Sequence, residues 1–218
     1  MQDFGAQGIA NTLHIMAKQR YKATGPLLLA LERRAEVISG EFNSQEVANT
    51  LWAFATMGTK PGERMMGQLE RRAEAISGEF KSQEVANTMW AFATMGTKPG
   101  ERMMGQLERR AEAISGEFNS QEVANTLWAF ATMGSNPRER MMGQLEPRAE
   151  AISGEFNLQE VANTLWAFAT MGSKPGDRMM GELERWTETI SGKFNSQEVA
   201  NTLWAIGTMG TKPGERKI

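Results

Sequence analysis

The chain contains no cysteine and a single histidine, His14. The first absence excludes disulfides, thiolate zinc sites and cysteine nucleophiles, and makes the fold indifferent to redox compartment. The second removes histidine-based metal clusters, and His14 alone builds no Ser-His-Asp set. No apolar run approaches the ~18 residues that a membrane span requires. Neither sign of charge dominates: 24 Lys and Arg stand against 26 Asp and Glu, for a net charge of −2. That balance argues against a broad basic phosphate-binding surface or a polybasic membrane patch, so any nucleic-acid contact is expected to be local. No phosphate-cradling G-x-x-x-x-G-K-[ST] occurs. The expectation is a protein without catalysis, cofactor, small-molecule substrate or membrane contact.

What the chain does have is a period of 38 residues. Trp52, Trp90, Trp128, Trp166 and Trp204 follow it, as do Phe4, Phe42, Phe80, Phe118, Phe156 and Phe194. Asn11, Asn49, Asn87, Asn125, Asn163 and Asn201 share it too. Segments 41–78 and 79–116 differ only where Asn43 faces Lys81 and Leu51 faces Met89. A period of this size marks a repeat array, in which the unit of interpretation is one repeat and its neighbour. The expected organisation is one continuous array over 1–218: a degenerate first repeat 4–41, repeats 42–79, 80–117, 118–155 and 156–193, and a partial repeat 194–218. The first copy has drifted most, with His14 in the Trp position and Leu27-Leu28-Leu29 in place of Met65-Met66-Gly67. Both ends of the chain cut through a repeat, which gives the whole the look of an excerpt from a longer array.

Within residues 42–78, Asn43-x-x-Glu46 has capping-box spacing, and Phe42 and Val47 occupy the two staple positions. A helix is therefore predicted from Ser44, ended by Gly58. We call it helix B, about 44–57. Thr59 as N-cap and Pro61 in a first turn predict a second helix, helix A, from 60–61 to Ser77-Gly78. Short connections force the two into an antiparallel hairpin. The predicted fold class is all-α, an α-solenoid of 38-residue antiparallel helical-hairpin repeats.

At 100° per residue, Met65, Met66, Leu69, Ala73 and Ile76 form one buried stripe on helix A. Its flanks sort by sign, with Arg64, Gln68, Arg71 and Arg72 on one side and Glu63, Glu70 and Glu74 on the other. Helix B is apolar over about half its circumference or more and keeps one strip free of basic charge, Gln45, Asn49 and Thr56, bordered by Trp52 and Glu46. The Trp ladder could stack bases, as aromatics do in single-strand binders, but Trp52 is expected to be a core peg, its indole N–H bonded to a carbonyl. Gly67 weakens helix A by about 1 kcal/mol against Ala, and Pro147, inside a later helix A, is expected to kink or shorten it at a cost of about 3 kcal/mol.

The string from Phe42 to Gly58, FNSQEVANTLWAFATMG, closely resembles the octotricopeptide repeat, whose pattern includes F-x-x-Q-x-x-A-N-T-L-W-A-x-A-x-x-G. The likeness extends over essentially the whole chain. Members of that family are organellar RNA-binding proteins acting in transcript stability, processing, splicing or translation in chloroplasts or mitochondria, with relatives among RAP-domain and fast-kinase-like mitochondrial proteins. The resemblance thus implies a helical-repeat protein for single-stranded RNA in one of those organelles, although no targeting peptide is visible. The balanced charge also admits a protein-interaction scaffold, and the ragged ends admit a fragment with no activity of its own.

The candidate RNA-binding residues follow from the flank and the strip. On helix A they are Arg64, Gln68, Arg71, Arg102, Gln106, Arg109, Arg140, Gln144, Arg178 and Arg185, whose stacking would form a ladder for phosphates. On helix B they are Asn49, Asn87, Asn125, Asn163 and Asn201, whose amides can meet base edges. Each has a structural alternative. The basic flank can pair with the acidic flank of the adjacent repeat, and the asparagines can bond backbone groups of adjacent repeats to hold register. Charge pairing and the need to satisfy buried polar groups favour those alternatives.

Overall fold

The computed structural model describes residues 4–21, 25–181 and 185, together with 202, 204, 205 and 207–209. Asn201 and most of the segments 182–193 and 194–218 lie outside the described residues. Among those described, every regular element is an α-helix or a short 3-10 turn. They fall into two compact units, residues 1–114 and 115–218.

The first unit holds three hairpins: α1 (Ala6–Lys18) with α2 (Pro26–Val37), α3 (Ser44–Thr56) with α4 (Glu63–Ala75), and α5 (Ser82–Thr94) with α6 (Glu101–Ala113). Helices α1, α3 and α5 pack closely in one row, while α2, α4 and α6 form a second, more loosely joined row. The second unit contains α7 (Ser120–Thr132), α8 (Glu139–Ala151) and α9 (Leu158–Thr170), with α7 packed on α9. Helical residues resume at 177–181.

The B helices α3, α5, α7 and α9 begin one residue after the predicted cap. In α3 the Asn43 side chain accepts from the Glu46 N–H at 2.9 Å and Glu46 accepts from the Asn43 N–H at 2.9 Å. Phe42 and Val47, the staple pair, are completely buried. Gly58 closes the helix with φ +69, and the N–H of Thr59 reaches back to the Phe54 carbonyl at 3.1 Å. Only glycine takes that left-handed conformation without strain.

The A helices differ from expectation at both ends. Helix α4 starts at Glu63, not at 60–61, because its cap comes from another repeat: the Gly62 N–H donates to the Glu32 carboxylate of α2 at 3.3 Å. Gly100 and Glu70 repeat the arrangement at 3.1 Å. Thr59 is thus no N-cap. A carboxylate at this point also opposes the positive end of the helix dipole. At the far end α4 stops at Ala75, and Ser77–Glu79 forms a 3-10 turn that leads into Phe80.

Pro147 does not shorten its helix, since α8 runs 13 residues like α4 and α6. Pro147 is exposed, so its ring faces solvent while burial of Met141, Leu145 and Ala149 holds the helix together. The bond its missing N–H would have given to Gly143 is simply lost.

The core is made of phenylalanine more than tryptophan. Phe42, Phe54, Phe80, Phe92, Phe118, Phe130, Phe156 and Phe168 are the largest fully buried side chains. Trp52, Trp90, Trp128 and Trp166 are only half-buried, and Trp204 is 50% exposed. The expectation of a core peg therefore fails for tryptophan and belongs to Phe54 and its equivalents. The reason is packing: B helices bury nearly their whole circumference, Ala53 and Thr50 included, and only the strip next to Trp52 stays open.

Candidate nucleic-acid interface

Helices α4 and α6 each carry three arginines, and the structure assigns them three different environments. Arg72 donates from Nε to the Phe42 carbonyl at 2.6 Å, as do Arg110 to Phe80 and Arg148 to Phe118 at 2.6 and 2.7 Å. This bond ties each A helix to the loop that precedes its partner B helix. Arg34 repeats it on the Phe4 carbonyl at 2.9 Å.

Arg64 lies 3.5 Å from Glu36 of the preceding hairpin, Arg102 3.4 Å from Glu74, and Arg178 3.5 Å from Glu150. The charge-paired reading of the basic flank thus holds for these three. The arginine side chains remain 79–84% exposed, so each pair contributes about 0–1 kcal/mol. Arg140 and Arg185 also have partners.

Arg71 and Arg109 are exposed and bond no described residue, and Arg33 in α2 occupies the same position. All three belong to the first unit, on the successive helices α2, α4 and α6, which pack side by side. With neighbouring helix axes about 8–10 Å apart, they make a row of three guanidinium groups whose donors point to solvent. Arg33 was missed in the sequence because the first copy has drifted around it, yet its place in the period was readable. In the second unit Pro147 takes the equivalent position.

Gln68 and Gln106, by contrast, are drawn into the stack: their Oε1 atoms accept from Ser39 and Ser77 of the preceding hairpin, each at 3.3 Å. Gln144 is exposed and makes no such bond. The carboxylates are similarly occupied. Glu32, Glu70 and Glu146 serve the next A helix, and burial raises Glu32 and Glu146 above the ordinary carboxylate range against the opposing pull of the Gly62 and Gly176 N–H groups. Glu36, Glu74 and Glu150 meet the paired arginines.

On the B helices, Asn49, Asn87, Asn125 and Asn163 are half-buried and hydrogen-bond no described residue. The predicted register-holding bonds to adjacent repeats are therefore absent. Adjacent hairpins are held instead through their A helices, by Glu32 and Glu70 on the Gly62 and Gly100 N–H groups and by Glu36 and Glu74 on Arg64 and Arg102. The indole N–H groups of Trp52 and Trp90 likewise find no carbonyl. His14 packs against Trp52 with ring centroids 4.9 Å apart and planes tilted by 33°.

No described helix is long and apolar enough to cross a membrane. No curated protein matches the chain. The family model described as RNA-editing substrate-binding complex 6 protein matches residues 1–212, nearly the full repeat array, and the chain belongs to that family.

Proposed function

We propose that this chain is a non-catalytic RNA-binding helical-repeat protein of organellar RNA processing, most simply mitochondrial RNA editing, built as an α-solenoid of octotricopeptide-type hairpins. Membership of a family named for binding RNA-editing substrates supports the RNA. The NTLWA string and the 38-residue period support the repeat type. The single observation that carries the interface is the row Arg33, Arg71 and Arg109, exposed and unpaired while the other described A-helix arginines all have partners. Arginine suits phosphate through its planar fork of donors, and three such groups give the local contact that a net charge of −2 allows.

The test is filter binding of short single-stranded RNAs to the chain and to a variant carrying Arg33→Gln, Arg71→Gln and Arg109→Gln, at several salt concentrations. For single strands each phosphate contact adds about 0.7 to the slope of log K against log salt, so the variant should lose about 2 from that slope. An unchanged slope would remove the row from the interface. Absence of salt-sensitive binding to any strand would end the RNA reading itself.

A further inference from the structure

We infer that the exposed strip of the B helices is a second binding surface, separate from the arginine row, and that it takes an extended, uncharged stretch of polypeptide from a partner protein. Its core is an amide ladder. Asn49 and Asn87 stand on α3 and α5, which pack side by side, with Asn11 on α1 before them. Asn49 and Asn87 are half-buried amides that have lost part of their water, yet they have gained no internal partner, while Asn11 is exposed. Each offers a donor and an acceptor to whatever lies above it. An extended backbone presents the complementary pair, one N–H and one C=O per residue. Helix axes about 8–10 Å apart correspond to one turn of an extended polyproline II chain, three residues at about 3.1 Å each, so every third peptide unit returns to the same face over an asparagine.

Two observations favour peptide over nucleic acid on this face. The strip carries no cation in its regular copies; only Lys18, at the Thr56 position of the drifted first repeat, is basic. A polyanion laid there would lose phosphate hydration without compensation, whereas a neutral backbone matches a neutral strip. Second, the aromatic row is closed where it begins: with centroids 4.9 Å apart, His14 and Trp52 leave no room for a base, which needs about 7 Å between two rings at 3.4 Å per stacking step. The half-buried indoles instead offer apolar walls for the side chains of an extended peptide.

The experiment pans a library of linear peptides of about 10 residues, enough to cross three helices, against the full chain. The enriched peptides, fluorescein-labelled, are then titrated against variants. Expected is binding that is insensitive to salt, unaffected by Arg33→Gln with Arg71→Gln and Arg109→Gln, and weakened about tenfold or more by Asn49→Ala with Asn87→Ala. Because these amides bond nothing internally, the alanine variant should melt with the parent; a lowered melting point would show the amides to be structural and overturn the proposal. Asn49→Gln with Asn87→Gln keeps the chemistry but displaces it by one methylene, and undiminished peptide binding there would overturn it as well. Failure to enrich any asparagine-dependent peptide, or loss of RNA binding rather than peptide binding in the asparagine variants, would do the same while leaving the arginine test standing.

Discussion

The sequence sorts Arg64, Arg71 and Arg72 to one flank of a helix, yet one pairs with a carboxylate, one is free and one holds a carbonyl. What separates them is the preceding hairpin for Arg64 and the loop before the partner B helix for Arg72, neither of which a wheel of one helix contains. Other single positions carry sharper consequences. Lys81 stands where Asn43 caps α3, and an ammonium has no acceptor, so α5 keeps only the Glu84 half of its box at 2.9 Å. Lys81→Asn should therefore raise stability by about 1 kcal/mol, read from urea unfolding; no gain would mean that the cap adds nothing in this stack. Thr50 is buried with an unpartnered hydroxyl, as are Thr88, Thr126 and Thr164. Thr50→Val should be neutral or stabilising by up to about 1–3 kcal/mol, and a loss on that scale would reveal a partner for the hydroxyl. His14 is pushed below its ordinary value by burial, helped by the charge of Lys18. The unfolded chain then binds the proton more readily, so stability is complete above about pH 6.5 and declines as pH falls from there toward the lowered value. Glu32 and Glu146 act oppositely: raised by burial, they take up protons first in the folded chain and add stability as pH approaches the ordinary carboxylate range. Replacing His14→Trp should remove the first component from melting curves recorded between about pH 7.5 and 5.5. Identical pH profiles for parent and variant would show that His14 contributes none of it.

At the scale of the helix, B helices are self-sufficient and A helices are not. The capping box, the staple and the terminal glycine are all local, which is why the start of α3 at Ser44 was readable from residues 42–58. Helix α4 takes its first-turn acceptor from Glu32, 30 positions back, so its start shifted from 60–61 to Glu63. Residue pattern predicted most of its buried stripe, Met65, Leu69, Ala73 and Ile76, while Met66 is half-buried at the stripe's edge. The A helices also carry their own weaknesses. A Cβ at Gly143 would meet nothing within 4 Å, so Gly143→Ala should stabilise by about 1 kcal/mol. Pro147→Arg should restore the missing backbone bond for up to about 3 kcal/mol. Both would appear as higher melting temperatures, and a Pro147→Arg variant no more stable than its parent would mean that the helix has already relaxed around the proline.

For the whole molecule, the stack within each unit is a chain of nearest-neighbour contacts that recurs with the repeat, from Glu36 to Arg64, from Glu74 to Arg102 and again from Glu150 to Arg178. Near-identical copies thus repeat the same interface, and among the described A-helix arginines Arg33, Arg71 and Arg109 are left without a partner. The salt dependence of RNA binding is therefore expected to follow three arginines of the first unit and not the total of 24 basic residues. The sequence by itself determined the period, the helical class, the B-helix boundaries and the family resemblance, because each rests on residues within one turn or one repeat of each other. Which arginine is free, why Glu32 is a cap, that Phe54 and not Trp52 is the peg, and that the asparagines bond nothing inside the stack were decided only by tertiary structure. Those properties belong to pairs of hairpins: a side chain's partner, its share of solvent and its remaining hydrogen-bonding capacity exist only once the neighbouring repeat is in place.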